Sequence, residues 1–329
     1  MIMINIINSP QQYPKCDLYK SKPQISFCGT NTVEKLSKDV IVGVRKKLIQ
    51  ESAFFRDADT LEFVKDYLLN VLKKNEINIV DGACSSGYET YTLAMLFDKA
   101  DKKINITGFD IGKQAIADAK KGVFTIKRLK GQYATLLDYE GFRDNYLAFS
   151  SSKELSPQNL KYRQLFNEFF TEIPYKESFS LTAWLKRKLL PKKFVIDIET
   201  KAFQILPEKS KSCRFVQSDI LQLDKIVPKH SADALLFRNA LYHLTTKEGP
   251  LNFKIPLPDE QVIPAVKKVV EQVDNAVAPN GLFVIGEHAN DHVLTAGKTL
   301  YDELTKHNFS PVFDSFDGSM HYIWKKNSL

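Results

Sequence analysis

One stretch of the chain decides the fold: Ile77-Asn78-Ile79-Val80-Asp81-Gly82-Ala83-Cys84-Ser85-Ser86-Gly87-Tyr88-Glu89. It begins as an apolar strand that ends at Asp81, continues into a turn of small residues, and opens a helix at Glu89. A second apolar strand, from Ile104 to Phe109, ends in Asp110, about twenty residues beyond the turn. This spacing predicts two parallel strands of a doubly wound α/β fold with a ligand site at their carboxyl ends.

The turn also restricts the kind of ligand. It is not G-x-G-x-x-G, so the pyrophosphate of a dinucleotide is not favoured. Two glycines, Gly82 and Gly87, follow an Asp-tipped strand, which favours a nucleoside ligand that has no pyrophosphate, such as S-adenosylmethionine. Asp110 would then accept both ribose hydroxyls. The alternative is a tight turn that binds no ligand, with Asp110 a solvated helix cap.

Composition excludes several classes of protein. The chain has 329 residues, 46 Lys and Arg against 39 Asp and Glu, and a net charge of +7, which is compatible with an acidic protein partner. The sequence has no nucleic-acid recognition motif, no membrane-length apolar run and no basic signal-peptide start. Four cysteines without a CxxC pair argue against disulfides or a zinc site and indicate a reducing cytosol. We therefore expect a cytoplasmic protein without a metal, without nucleic acid and without membrane insertion.

The pattern along the chain predicts three regions. Residues 1–30 read as a disordered tail, 31–75 as a helical N-terminal cover, and 76–329 as the main domain with an insert at about 127–193. The cover would contain helices from Val33 to Gln50 and from Asp57 to Lys74, the latter burying Leu61, Val64, Leu68, Val71 and Leu72.

The main domain alternates strand and helix, which predicts a Rossmann-like, doubly wound α/β fold with a mostly parallel sheet. Strands are expected at 77–81, 104–110, 213–218, 233–238 and 281–287. Helices are expected at 88–99, 112–121, 260–277 and 295–307, with the turn Ala278-Pro279-Asn280-Gly281 ending the third. Tyr322-Ile323-Trp324 would form a closing antiparallel strand. The insert breaks the alternation and would be partly helical, over Pro157–Phe170 and Phe179–Leu190.

Five ordered blocks resemble the CheR-type chemotaxis receptor methyltransferases, a family of class I, S-adenosylmethionine-dependent protein-glutamate O-methyltransferases. Their residues are Ser52-Ala53-Phe54-Phe55-Arg56-Asp57, Cys84-Ser85-Ser86-Gly87-Tyr88-Glu89-Thr90-Tyr91, Gly108-Phe109-Asp110-Ile111 with Ala115 to Phe124, Phe237-Arg238-Asn239-Ala240-Leu241-Tyr242, and Pro279-Asn280-Gly281-Leu282-Phe283. The resemblance covers roughly residues 50–125 and 194–290. It departs from the family pattern at Tyr88 (a Glu in the family), at Thr90 (a Pro) and at His243, which takes the place of a tyrosine near the transferred methyl group.

The resemblance and the strand ends together assign expected roles. Asp81, Gly82, Ala83 and Gly87 would form the floor under the cofactor, with Glu89, Asp110 and Ile111 beside it. Asp219 would accept from the adenine amino group, Ile220 would pack on the ring, and Asn239 with Ala240 would lie near the methionine amine. Arg56 would pair with the methionine carboxylate, and Tyr242 and His243 would shape the acceptor pocket. For Glu89, Arg56 and Asp219 the plainer alternatives are a helix-dipole contact, a surface arginine and an ordinary strand-end carboxylate. Arg238 could instead be structural, pairing with carboxylates of the sheet.

The implied activity is O-methylation of glutamate side chains on a chemoreceptor-type protein, with an acidic receptor coiled coil as partner. A glutamate has an ordinary pKa of about 4.3 and is already ionised at neutral pH, so this reaction requires no general base. Two alternatives stay open: methylation of a small molecule or another protein, and a non-catalytic module that binds the cofactor. A basic cluster in the insert has two interpretations, a solvated helix face or a surface for an acidic partner; its members are Lys186, Arg187, Lys188, Lys192 and Lys193.

Overall fold

The structure, a computed structural model, describes residues 54–129, 157–175, 198–248, 254–285, 294–312 and 323–328. All of them fall within one unit, Ile41–Leu329. The predicted tail, the predicted helix at 33–50, the predicted helix at 179–190 and the basic cluster of the insert lie outside the described residues. The boundaries proposed for the tail, cover and main domain therefore stay predictions.

The described ranges contain twelve strands. They are β1 Glu76–Gly82, β2 Lys103–Asp110, β3 Val123–Leu129, β4 Phe170–Ile173, β5 Ile198–Ile205, β6 Cys213–Gln217, β7 Ala232–Leu236, β8 Thr246–Glu248, β9 Lys254–Pro256, β10 Val277–Val284, β11 Phe309–Pro311 and β12 Ile323–Lys326. The helices are α1 Ala58–Asn70, α2 Tyr88–Phe97, α3 Lys113–Lys121, α4 Pro157–Phe169, α5 Tyr242–Thr245, α6 Asp259–Ala276 and α7 Leu294–Lys306, together with a 3-10 helix, Ile220–Lys225.

Seven strands form one sheet in the order β6-β2-β1-β7-β10-β12-β11. The five strands from β6 to β10 are parallel, and β12 runs antiparallel to both of its neighbours. The strand order reverses between β1 and β7, which is the point where doubly wound folds bind ligands. The predicted Rossmann-like fold and its antiparallel closing strand are confirmed.

Two apolar clusters form the core, one on each face of the sheet. On one face, α6 buries five valines at helical spacing, Val262, Val266, Val269, Val270 and Val273. On the other face, α1 buries Leu61, Val64 and Leu68, as its apolar stripe predicts. The predicted helix extended to Lys74, but α1 ends at Asn70. Beyond that end the prediction was wrong for Val71, which is 56% exposed, whereas Leu72 is buried as predicted.

The turn before β10 takes a different form from the predicted one. Helix α6 ends at Ala276 as expected, but the strand resumes at once with Val277. At the position of the predicted turn, the pairing of β10 with β7 shifts in register between Val277 and Leu282, and Asn280 adopts a φ of 62°. A side chain at Gly281 would lie 3.0 Å from the carbonyl oxygen of Ala232, so only glycine fits this bulge.

A second sheet, which the sequence did not predict, joins the described part of the insert to the segments on either side of it. Strand β5 pairs antiparallel with β3 on one side and β4 on the other. The predicted helix over 157–170 is confirmed as α4, Pro157–Phe169. These strands escaped prediction because β3 and β5 mix charged and apolar residues and do not form apolar runs like those of β1 and β7. No helix in the described ranges is both long and apolar enough to cross a membrane.

Candidate active site

Three neighbouring strands, β2, β1 and β7, bring their carboxyl ends together at the reversal of strand order. Asp81 in β1 is in register with Gly108 of β2 and Leu236 of β7. Asp110 ends β2, and Arg238 lies two residues beyond the end of β7. The fold therefore brings together two predicted carboxylates and an arginine from separate sequence blocks.

The loop after β1 has an unusual backbone. Ala83 and Ser85 adopt positive φ angles of 57° and 51°, and Gly87 has φ 88°. Non-glycine residues in this region cost about 1 kcal/mol or more each and concentrate at functional sites. A side chain at Gly82 would lie 2.7 Å from the Phe109 ring, so this glycine lets β1 and β2 approach closely.

Asp110 is fixed by two backbone amides. Its Oδ2 accepts a 2.9 Å hydrogen bond from the Ser85 amide, and its Oδ1 accepts a 2.7 Å hydrogen bond from the Gly112 amide. Burial raises the pKa of the Asp110 carboxyl above its ordinary value, although both amides favour the ionised form. A carboxylate has about four lone-pair positions, so each oxygen can still accept a hydroxyl. Asp110 therefore keeps acceptor positions for further hydrogen bonds, and its predicted contact with the ribose hydroxyls stays a prediction.

Asp81 is fully buried beneath the loop, with 1% of its surface exposed. It accepts a 2.5 Å hydrogen bond from the Thr90 hydroxyl in the first turn of α2. Burial raises the pKa of the Asp81 carboxyl well above its ordinary value, and the negative charge of Glu89 adds to the effect. The Thr90 hydrogen bond and the charge of Arg238 act in the opposite direction. A cation placed beside this pair would relieve the repulsion.

Arg238 joins three parts of the chain. Its side chain is 1% exposed, and its guanidinium donates to Glu89 at 2.7 Å, to Asp57 at 2.5 Å and to the Arg56 carbonyl oxygen at 3.3 Å. Arg238 therefore pairs with carboxylates, as the structural alternative expected, but they belong to the first turn of α2 and to the residue before α1 rather than to the sheet. Asp57 precedes α1 but forms no side-chain cap, because its carboxylate contacts Arg238 instead.

The Phe-Phe-Arg block is anchored by aromatic packing. Phe54 makes edge contacts with four rings at centroid distances of 4.8 to 5.2 Å, those of Tyr88, Phe124, Phe166 and Phe170. Phe55 stacks on Tyr162 at 4.6 Å, and its amide donates to the Thr92 hydroxyl. This packing holds Arg56, whose Nε lies 3.9 Å from Asp57 Oδ2. Its predicted pairing with the methionine carboxylate stays a prediction.

Tyr88, which replaces a family glutamate, packs into the same aromatic cluster. Its ring lies 4.8 Å from that of Phe54 and 4.7 Å from that of Phe124. Burial raises the pKa of its hydroxyl. The substitution therefore extends the aromatic packing at the start of α2 and leaves Glu89 as the acidic residue of the first turn.

The remaining predicted cofactor residues lie just beyond the ends of β2, β6 and β7. Asp219 accepts a 3.1 Å hydrogen bond from the Leu221 amide, so it caps the 3-10 helix. Ile220 is 4% exposed and packs in the core, and Ile111 is half-buried after β2. Asn239 has φ 51° and is half-buried. Their predicted contacts with adenine and methionine stay predictions.

Tyr242 and His243 open the short helix α5 after β7. Their rings lie 3.9 Å apart at an angle of 36°, and both residues are half-buried. The His243 amide donates to the carbonyl of Ala240, which is buried. The two rings form an adjacent pair near the same edge of the sheet, which is where an acceptor pocket was expected.

Sequence reasoning missed three contributors to this site: Asp57, Thr90 and the Ser85 amide. Asp57 directly follows the predicted Arg56, and Thr90 directly follows Glu89, so their positions were available in the sequence. Their partners are 181 and 9 residues away, which only the folded chain shows. Among the described residues, no group of three His, Cys, Asp or Glu side chains could hold a metal ion.

Comparison with known protein families supports the cofactor assignment. Residues 50–142 match the model of the CheR methyltransferase SAM-binding domain, over less than a third of the 329-residue chain. The matched segment contains Arg56, the loop after β1, Glu89 and Asp110. The resemblance to CheR-type proteins and the S-adenosylmethionine-binding character predicted from the sequence are confirmed for this segment.

Solved structures with a similar fold include several methyltransferases. The CurJ carbon methyltransferase is 9% identical, with a TM-score of 0.39, over 83% of this chain and 54% of that one. The geranyl diphosphate C-methyltransferase of Streptomyces coelicolor A3(2), solved with S-adenosyl-L-homocysteine, is 8% identical, with a TM-score of 0.36, over 78% and 62%. The citrinin polyketide synthase CMeT domain is 10% identical, with a TM-score of 0.38, over 81% and 50%. The chain spans between 50% and 62% of the length of these proteins.

Proposed function

We propose that this protein is an S-adenosylmethionine-dependent methyltransferase that esterifies glutamate side chains of a protein acceptor. The observation that carries the proposal is the fixed carboxylate of Asp110, held by the Ser85 and Gly112 amides at the end of β2. It lies within the segment that matches a SAM-binding domain. In doubly wound folds a carboxylate at this position receives the ribose hydroxyls.

The charges around the loop suit this cofactor. S-adenosylmethionine carries a sulfonium, an ammonium and a carboxylate, so its net charge is positive. Asp81 is fully buried and repelled by Glu89, which makes the edge of the sheet favourable for a cation. Arg238 balances part of this negative charge through its pairs with Glu89 and Asp57. A positively charged ligand would balance more of it.

S-adenosylmethionine supplies the methyl group from its sulfonium. In the proposed reaction a carboxylate oxygen of the acceptor forms the new bond to the methyl carbon as the sulfur–carbon bond breaks. The electron pair stays on sulfur, which becomes a neutral thioether, and no proton is transferred. The protein therefore has to bind, align and dehydrate the reactants. The buried floor of the loop and the fixed Asp110 suit that task.

The choice of a glutamate acceptor rests on the five ordered blocks that resemble protein-glutamate methyltransferases. The acceptor would approach the pair of rings at Tyr242 and His243, and an acidic receptor coiled coil would suit the net charge of +7. The replacement of the family tyrosine by His243 favours a second candidate, methylation of a small molecule or of another protein.

Labelling with tritiated S-adenosylmethionine tests the proposal. The purified protein is incubated with cell extract, and Asp110→Asn serves as the control with impaired cofactor binding. Label on protein that alkali releases as volatile methanol is the expected result, because carboxyl methyl esters hydrolyse in base. Base-stable label or label on small molecules would support the second candidate. Cofactor binding without any transfer would contradict the enzymatic proposal and favour a non-catalytic module.

A further inference from the structure

The guanidinium of Arg238 is held in one orientation by its own contacts. Four of its five N–H donors bind residues of the site: two share the Arg56 carbonyl oxygen, one donates to Glu89, and one donates to Asp57. The planar fork of arginine is rigid, so these contacts fix the positions of its partners relative to one another.

The fifth donor, Nε–H, is buried without a hydrogen-bond partner in the part of the chain that the structure describes. A buried donor without a partner is costly, and such exceptions in native proteins call for an explanation. The hydrogen bonds of Arg238 are thus all made by its two terminal nitrogens, which contact Glu89, Asp57 and the Arg56 carbonyl oxygen. This geometry suits a side chain that orients those carboxylates.

Glu89 lies beside Asp81 and accepts a hydrogen bond from the Arg238 guanidinium. Glu89 Oε2 lies 2.7 Å from the Arg238 guanidinium, and its side chain is 15% exposed. It lies in the first turn of α2, directly after the loop with positive φ angles. Glu89 Oε2 thus accepts from Arg238. This contact fixes the orientation of the carboxylate and therefore the direction from which a second cation can approach it.

We propose that Arg238 is a positioning residue: it orients the Glu89 carboxylate toward the ammonium of the methionine moiety and holds residues 56–57 against the same edge of the sheet. The inference rests on the proposed function, because it concerns how the cofactor's amino-acid end is bound. Arg238 itself is not assigned a contact with the reacting atoms.

The inference is tested by comparing two ligands that differ in the methionine moiety. S-adenosylhomocysteine carries the ammonium and carboxylate, whereas 5′-methylthioadenosine keeps the adenosine and lacks both. Calorimetric titrations are made with wild type, Arg238→Gln, Arg238→Lys, Glu89→Gln and the double variant Glu89→Gln, Arg238→Gln. Arg214→Gln, at an exposed arginine on β6 that donates to the Ile226 carbonyl, is the control.

We expect Arg238→Gln to raise the Kd for S-adenosylhomocysteine about tenfold or more and the Kd for methylthioadenosine less than about twofold. Arg238→Lys, which keeps a cation, should recover part of the loss. In the Glu89→Gln background, Arg238→Gln should add less than about threefold, because coupled residues are not additive. The control variant should bind both ligands as wild type does.

Three outcomes would overturn the inference. Equal loss of both ligands would show that Arg238 only supports the fold. Unchanged affinity for S-adenosylhomocysteine would show that Glu89 needs no such partner, and fully additive losses would show that the two residues act separately. If wild type binds neither S-adenosylhomocysteine nor S-adenosylmethionine, the proposed function itself fails. If Arg238→Gln does not fold, the affinities of Arg238→Lys and Glu89→Gln for the two ligands test the inference instead.

Discussion

The amide of Ser85 donates a 2.9 Å hydrogen bond to Oδ2 of Asp110, so the loop after β1 and the carboxylate that ends β2 form one unit. The two residues are 25 positions apart in the sequence. Their contact joins the loop after β1 to the end of β2, the two elements from which the ligand site was predicted. A ligand that binds one of them is therefore placed by both.

Replacing Asp110 by Asn should weaken cofactor binding. An amide has one acceptor oxygen, so it cannot keep both the Ser85 and Gly112 contacts and still receive two hydroxyls. We expect the Kd for S-adenosylhomocysteine to rise by about tenfold or more, or about 1.4 kcal/mol. Isothermal titration measures this directly. Asp118→Asn, on α3, is the control, and equal affinities in the two variants would exclude Asp110 from the site.

Replacing Asp81 by Asn should stabilise the fold at neutral pH while weakening cofactor binding. Burial raises the pKa of Asp81 above its unfolded value near 3.8. Its contribution to stability is therefore complete below 3.8 and is lost as the pH rises through the folded-state pKa. Asn does not titrate, so the variant should gain most at neutral pH and lose its advantage toward 3.8. Urea unfolding at several pH values measures the difference.

A second substitution at the same position separates charge from hydrogen bonding. Asp81→Ala removes the acceptor for the Thr90 hydroxyl, so it should be about 1 kcal/mol less stable than Asp81→Asn. A neutral-pH stability of Asp81→Asn below that of wild type would show that the buried charge is compensated in the folded protein.

Cofactor affinity should increase with pH. Burial raises the pKa of both Asp81 and Asp110, and a cationic ligand binds their ionised forms better. Binding must then release protons at a pH below these raised values, so the Kd falls as the pH rises through them. Calorimetric titrations in buffers of different ionisation enthalpy measure the number of protons that are released on binding. S-adenosylhomocysteine should show a stronger dependence than methylthioadenosine, which lacks the ammonium, and identical slopes would contradict this account.

Phe54 should contribute strongly to stability. It contacts four rings at once, so Phe54→Leu should lower the free energy of unfolding by roughly 1–3 kcal/mol. The matched control is Val71→Ala at a site that is 56% exposed, where the change should stay within about 0.5 kcal/mol. Chemical denaturation measures both. Similar small changes in the two variants would show that the aromatic cluster is not needed to anchor residues 54–57.

The double variant Tyr242→Phe, His243→Ala should separate binding from turnover. Neither side chain is assigned a cofactor contact, so the Kd for S-adenosylhomocysteine should change less than about threefold, while methyl transfer falls about tenfold or more. Titration and tritium transfer with the same preparation measure the two quantities. Undiminished transfer would remove both rings from the acceptor pocket.

Much of the sheet could be predicted because it depends on local pattern. Apolar runs predicted β1 and β2 nearly to the residue, and the turn at 278–281 placed the end of α6 within one residue. The strands β3, β4 and β5 were missed because their segments mix charged and apolar residues. Asp57 was missed for another reason: its residue type suggests a helix cap, while its partner Arg238 is 181 residues away.

The sequence by itself determined the order of strands and helices, the glycine-containing turn and the acidic strand ends, because hydrophobic periodicity and backbone conformation act over a few residues. Only the tertiary structure decided that one guanidinium would meet Glu89 and Asp57, 149 and 181 residues away. Those contacts form when β1 and β7 become neighbours at the reversal of strand order. Side-chain distances of that kind depend on the whole sheet, so no local pattern contains them.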